Sequence, residues 1–174
     1  MTDKEINNVL EDMVVISDTR EQKNQHILQY FDENKIPYIV GKLNSADYTM
    51  YLPNYPHLNL DKQFLVERKG SLDELAGNFT KGRDRFIREF DRLEDGQSIH
   101  MVLENFTIKK LMNGNYRSKF PSKSYLASLM TWCIRYKCPV WTVTTDESPV
   151  VIYNVLKYEL RERLIEMRKE DSKC

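Results

Sequence analysis

Cysteine, histidine and long apolar runs are all scarce in this 174-residue chain. Cys133, Cys138 and Cys174 form an odd, sparse set. A disulfide-built secreted domain is therefore not expected, and a reducing cytoplasm is the default setting. No second Cys/His pair stands at ligand spacing, which argues against a zinc site. His26, His57 and His100 fall in no motif, so histidine catalysis is not expected either. No stretch approaches the roughly 18 apolar residues of a membrane span, and mean hydropathy is −0.59. The opening MTDKEINNVLEDM carries four acids and one base. It has neither the basic start nor the apolar stretch of a signal peptide. Repeats, low-complexity tracts and Gly/Ser/Pro linkers are also missing. A single domain over residues 1–174 is the expectation, with a core over about 13–146 and a C-terminal helix over about 148–169. An aromatic content of 11% excludes a disordered chain.

Net charge is absent too, since 26 bases balance 26 acids. The distribution is uneven. Residues 105–145 hold seven bases and no acid: Lys109, Lys110, Arg117, Lys119, Lys123, Arg135 and Lys137. Such a stretch is either a solvated basic surface or a polyanion-binding face opposite an acidic, metal-requiring cluster.

Hydrophobic periodicity predicts strands at residues 13–17, 38–43, 47–52, 63–69, 99–103 and 140–143. Helices are predicted at 4–12, 22–34, from the S-x-x-E cap Ser71/Glu74 onward, 81–93, 121–136 and 148–169. Residues 38–43 and 47–52 flank a turn at Asn44-Ser45, and 53–62 (PNYPHLNLDK) read as a loop. Adjacent antiparallel strands early and helix-separated parallel strands later give an α/β fold. Its architecture would be three α/β/α layers with a mixed central sheet. In residues 121–136 the core stripe is read as Leu126, Leu129, Met130 and Cys133. That leaves Tyr125, Trp132 and Tyr136 off it, with Val151 and Tyr153 off the main stripe of the last helix. Exposed aromatics of this kind are enriched at interfaces and suggest a homodimer.

Acids and bases cluster at strand ends. Asp18 ends the first strand, Asp47 begins another, and Glu67 and Lys69 stand two apart in LVERKG. On a strand, residues two apart share a face, so Glu67 and Lys69 point together while Arg68 points away. Carboxylates and a lysine at one sheet edge suit metal-assisted phosphodiester hydrolysis. Hard oxygen ligands hold Mg²⁺, the metal acidifies the attacking water, and the lysine orients that water or stabilises the oxyanion. As bare spacing the pattern also fits an ordinary exposed edge strand.

The wider words are more specific. VVISDTREQ, SADY, LVERKGSLDEL and GRDRF together resemble the nuclease domain of the XPF-type structure-specific endonucleases, in the PD-(D/E)XK superfamily. That family carries a motif of the form GD…ERK-x-x-x-D. Asp47 matches its first aspartate, Glu67-Arg68-Lys69 match ERK, and Asp73 matches the trailing aspartate. Asp18, Arg20 and Glu21 match the upstream D-x-R-E element, and Gly82-Arg83 a following glycine–arginine. The likeness extends over about residues 14–160, through SYLASLMTW and CPVWTV.

This resemblance implies an endonuclease dependent on Mg²⁺ or Mn²⁺, acting on branched, flapped or junction DNA and dimerising through the nuclease domain. Asp18, Asp47 and Glu67 would hold the metal, Lys69 would assist the water or oxyanion, and Arg68 would order the site. Arg83, Lys109, Lys110, Arg117, Lys119 and Lys123 would bind DNA. The implied setting is cytoplasmic, near the nucleoid or in a phage host. The alternatives are a Holliday-junction or sequence-specific nuclease of the same superfamily, or a non-catalytic DNA-binding scaffold.

Some features depart from the family pattern or keep two readings. Ala46 stands where the motif has glycine, and alanine disfavours positive φ, so an ordinary or mildly strained backbone is expected there. The 53–62 insert is a DNA-contacting flap or, preferably, an extended hairpin tip. The G-x-G hairpins of the tandem helix-hairpin-helix module that often follows this domain do not occur here. Asp73 sits where the helix dipole favours any acid, so a structural and a site role stay open. Arg83, Arg85 and Arg88 either reach phosphate, Arg83 foremost, or pair with Asp84, Glu89 and Asp91. Tyr116 and Phe120, among Lys110, Arg117 and Lys119, either stack on an unpaired base or pack their own loop.

Overall fold

The computed structural model describes residues 1–171. The β-branched runs become β1 (Val14–Asp18), β2 (Tyr38–Gly41), β3 (Tyr48–Tyr51), β4 (Phe64–Lys69), β5 (Ser98–Glu104) and β6 (Val140–Val143). The amphipathic segments become α1 (Asp3–Glu11), α2 (Gln25–Glu33), α3 (Leu72–Phe79), α4 (Arg83–Phe90), α5 (Ile108–Met112), α6 (Ser122–Arg135) and α7 (Ser148–Asp171). The short α5 is the one helix that periodicity did not indicate. At the head of α3 the Ser71 hydroxyl accepts from Glu74 N, as expected, while the Glu74 carboxylate reaches back to Gly70 N.

The six strands form one mixed sheet in the order β2-β1-β3-β4-β5-β6. β4, β5 and β6 run parallel, and β3 is antiparallel to both β1 and β4. The connection at Asn44-Ser45 is therefore not a hairpin: β1 lies between β2 and β3 and pairs with both. Side-chain alternation divides the interior into two cores. Phe64 and Val66 of β4 join α1, α2 and α7 on one face. Leu65 joins α3, α4, α5 and α6 on the other. Three layers with a mixed central sheet are the result, matching the fold expected from the sequence.

The core stripe of α6 is rotated from the expected one. Tyr125, Leu129 and Trp132 are buried, whereas Met130 is 48% and Ile134 79% exposed. The reason is an aromatic partner supplied by α3 and α4. Trp132 stacks on Phe86 at a centroid distance of 4.5 Å and meets Phe79 and Phe90 edgewise or tilted. Tyr125 packs on Phe79 and donates its hydroxyl to Leu72 O at 2.8 Å. Such pairs add about 0.5–1.5 kcal/mol each beyond area burial, which favours this face over the aliphatic one. Tyr125 and Trp132 are thus core residues and not interface aromatics.

The 53–62 insert folds as the tip of the β3–β4 connection. A 3-10 turn at Pro56–Leu58 carries Leu58 and Leu60 onto the α1 side of the core. Asn54 bonds to Asp12, and Asp61 accepts from Leu52 N. Among the described residues no helix is long and apolar enough to cross a membrane. Cys138 is buried and Cys133 half-buried; Cys174 lies outside the described residues.

The two stripes of α6 can be separated by stability. Trp132→Ala is expected to cost about 3–5 kcal/mol, and Ile134→Ala to stay within about 0.5 kcal/mol in the monomer. Chemical denaturation curves check this. Equal costs would return α6 to the aliphatic orientation.

Candidate active site

The site is built by one register. Tyr48 of β3 faces Val66 of β4, and Asp47 N donates to Val66 O at 3.1 Å. Continued by one residue, this antiparallel register sets Asp47 opposite Glu67, on the face that packs against α3 and α4. Asp47 Oδ2 accepts from Arg68 N at 2.8 Å. Glu67 is 2% exposed. Its Oε1 accepts from Lys69 Nζ, and its Oε2 is buried with no hydrogen-bond partner. Lys69 Nζ sits 5.3 Å from the Phe86 ring centroid and 3.7 Å from Glu74.

Ala46, just before Asp47, takes φ +59°. Alanine here takes the left-handed backbone that glycine favours, so of the two expectations, ordinary or mildly strained, the strained one holds. The conformation costs an L-residue roughly 1–2 kcal/mol. Burial of the Ala46 methyl in the α3–α4 core offsets part of that.

Above the Asp47–Glu67 pair opens a cleft of about 530 Å³. Its acidic lining is Glu21, Asp47, Glu67, Glu74 and Glu89, and its basic lining is Arg20, Lys69, Arg85, Arg88 and Arg92, with Asn44 and Asn78. Arg85, Arg88 and Arg92 are spaced three and four apart, one face of α4 and its C-terminal extension. Burial, and then the nearby Glu67 charge, hold the Asp47 carboxyl well above the usual carboxylate range. Burial also raises Glu21, and burial with the Glu67 charge raises Glu89. Burial opposes the Lys69 ammonium, but Glu67, Asp47 and Glu74 outweigh it and keep this lysine charged.

The expected site residues separate into four groups. Asp47, Glu67 and Lys69 meet in the cleft. Arg68 points to the other face. Its guanidinium bonds Glu104 through two nitrogens, at 2.7 and 2.8 Å, and reaches Glu21 at 3.1 Å. Asp18 and Asp73 are engaged elsewhere. Both Asp18 oxygens are taken by Arg20, and one also by Leu43 N. Those bonds outweigh burial and lower its pKa. Asp73 anchors a loop by accepting from Arg117 N and Ser118 N, which lowers its own pKa. Arg83 is exposed and does not line the cleft, and neither do Lys109, Lys110, Arg117, Lys119 and Lys123. Tyr116 and Phe120 pack against Tyr125, and the Tyr116 hydroxyl donates to Phe120 O. Glu74, Glu89 and Arg92 enter the site without having been named for it. The sequence marks Glu21 only by the D-x-R-E match, and Arg85 and Arg88 only as candidate phosphate contacts behind Arg83.

The donor set suits a hard cation. Among the described residues no three His, Cys, Asp or Glu side chains form a metal cluster. Asp47 and Glu67, with the unpartnered Glu67 Oε2, remain as a two-carboxylate floor. Mg²⁺ is commonly held by one or two carboxylates, several waters and substrate phosphate, so the residues fit this ion.

Fold and cleft together define an α/β/α domain with an Asp…Glu-x-Lys constellation on its central strands. The ERCC4 domain matches residues 17–155, and the chain belongs to that family, the one of XPF-type nuclease domains. Among solved structures it resembles XPF from Aeropyrum pernix, with a TM-score of 0.62 and 20% identity over 90% of this chain and 69% of that one. XPF from the same organism in complex with DNA gives a TM-score of 0.62 at 18% identity, over 86% of this chain and 66% of that one. No curated protein sequence matches it.

The raised Asp47 pKa has a definite sign. A carboxyl whose folded pKa exceeds the unfolded one contributes stability at acid pH and loses it as pH rises through the folded value. Asp47→Asn removes the buried charge and keeps an acceptor for Arg68 N. The metal-free variant is expected to melt above wild type at about pH 8, with the gap closing toward about pH 4. Thermal melts in chelator test this, and an equal or lower melting temperature at the higher pH refutes it.

Proposed function

We propose that the protein is a metal-dependent DNA endonuclease that hydrolyses phosphodiester bonds, with branched, flapped or junction DNA as its substrate. The observation that carries this reading is the cross-strand pair Asp47–Glu67, with Lys69 bonded to Glu67, in a cleft walled by arginines. Asp47 and Glu67 would hold Mg²⁺ or Mn²⁺. Asp18, expected as a third ligand, is committed to Arg20, and Glu21 is the carboxylate nearer to hand. When bound, the metal supplies charge neutralisation at phosphorus and a water of lowered pKa. Lys69, held charged by its neighbours, orients that water or steadies the oxyanion. Arg85, Arg88 and Arg92 attract phosphate to a site whose carboxylates would otherwise repel it. Arg117, bonded to Asp73, flanks the head of α3, where it extends the basic surface.

Cleavage of linear and flapped duplexes in Mg²⁺, with EDTA as control, tests the reading. Glu67→Gln is expected to abolish cutting with the fold intact. Lys69→Ala is expected to lower turnover by about 10² or more while DNA still binds. Wild-type inactivity on every substrate would favour a DNA-binding scaffold, whereas near-normal cutting by Glu67→Gln would remove Glu67 from the mechanism.

We also propose that the chain works as a homodimer. The support now comes from edge strand β6 and its surroundings, not from the aromatics of α6. Trp141 is 43% exposed on the α7 side of β6, and on its other side the exposed Met130 and Ile108 border Val140 and Thr142. An unpaired edge with apolar flanks calls for a cover. Light scattering is expected to give twice the monomer mass at micromolar concentration, and Ile134→Lys to shift it toward the monomer. A monomer at high micromolar concentration refutes this.

A further inference from the structure

We propose that the groove adjoining the cleft is a strand-binding subsite, which takes the sugar-phosphate backbone of the DNA on one side of the bond that is cut. The proposal rests on the nuclease reading and gives the substrate a direction along the sheet.

The placement follows from the β3–β4 register. Asp47 faces Glu67, and two residues along the same face Thr49 faces Leu65. Thr49 and Leu65, both buried, are the floor of a second space of about 550 Å³. This groove shares Asn44 and Arg92 with the cleft, so the two are parts of one trough. From Leu65 past Glu67 to Lys69 the trough follows β4 for about 13 Å at ~3.3 Å per residue. One DNA strand rises ~3.4 Å per nucleotide, so this length accommodates about four nucleotides. The scissile phosphate would sit at Glu67, with the groove on the Leu65 side and the head of α3 on the Lys69 side.

The groove's charge suits the same ligand. Lys42, Lys62 and Arg92 stand exposed along its walls, and their side chains make no hydrogen bond or ion pair among the described residues. Of the two acids there, Asp61 is engaged by Leu52 N, and Glu94 stands opposite three cations. The rim is fixed in place. Lys62 N donates to Met50 O, and Gln97 Nε2 donates to Lys62 O. Unpaired cations on fixed backbone, contiguous with a phosphodiester-cutting cleft, are what a polyanionic strand requires. The mostly apolar space beside Trp141 and Tyr158 lacks that chemistry.

The test uses the double variant Lys42→Glu/Lys62→Glu and DNA binding by anisotropy in Ca²⁺, over a range of salt. Affinity is expected to fall about tenfold or more, and the slope of log affinity against log salt to flatten by about 2. Substrates shortened on either side of the cut add a directional readout. Shortening one arm should weaken wild type and leave the variant unaffected, whereas shortening the other should weaken both equally. Lys42→Gln/Lys62→Gln, with circular dichroism to verify the fold, should give a smaller change in the same direction. Unchanged affinity and slope in a folded variant overturns the subsite while leaving the nuclease reading standing. Wild type that binds no DNA overturns both.

Discussion

The cleft depends on burying like charges side by side at the β3–β4 seam. Asp47 and Glu67 face each other there, and burial beside the Glu67 charge disfavours ionisation of Asp47. Left alone such a pair would separate. It is held by the opposite face of the same two strands, where Tyr48, Met50, Phe64 and Val66 are packed under α1, α2 and α7. A slip of one residue in either strand would turn its two core side chains outward, at about 1.5–3 kcal/mol for each side chain exposed. The apolar face thus fixes the register, and the register forces the carboxylates together. Lys69 and the Arg68 N–H relieve part of the repulsion. The rest of the relief is what a cation would provide.

The fold was legible because β-branched runs and amphipathic periods are local signals. What escaped the sequence were choices between local alternatives that only tertiary partners decide. In α6, the series 126-129-130-133 and 125-129-132-136 share Leu129, and each is a sound helical stripe. The choice lay with Phe79, Phe86 and Phe90, which no window centred on α6 contains. The place of β1 between β2 and β3 is likewise a long-range fact. Nothing in the Asn44-Ser45 turn distinguishes a hairpin from strands parted by a third.

The site was legible to the same degree. Glu67 and Lys69 share a face by simple alternation, so their meeting was readable. Asp18 was not, because its fate depends on Arg20 folding back from two residues away and on Leu43 N arriving from the β2 connection. Asp73 was diverted in the same way by a loop from forty residues further on. In both cases a backbone donor claimed the carboxylate before any ligand could. The α4 arginines show the reverse. Arg83 stood foremost among them in the sequence, but the packing of Phe86 and Phe90 against Trp132 turns Arg85, Arg88 and Arg92 to the cleft instead.

Arg68 explains why the triplet Glu-Arg-Lys carries more information than Glu-x-Lys. Its neighbours on β4 point into the cleft, and it points to the layer of α2 and α7. There Glu104, at the end of β5, takes two of its nitrogens. Glu104 in turn lies 3.0 Å from His26 of α2, whose ring nitrogen is 3.2 Å from the Ser148 hydroxyl at the start of α7. Burial of Glu104 is outweighed by these bonds, and its pKa is lowered. With the remaining nitrogen Arg68 holds Glu21, which turns round the sheet end into the cleft lining. A lysine offers no planar fork and could not bind Glu104 through two nitrogens while reaching Glu21. Removing the arginine would leave the buried Glu104 without its only guanidinium partner among the described residues, with His26 alone at 3.0 Å, a cost of up to about 3–5 kcal/mol for pairs of this type. One residue of the triplet therefore ties the helical layer on the far side of the sheet to a carboxylate in the cleft. The other two residues face the cleft directly, and all three are needed for the strand to serve both faces.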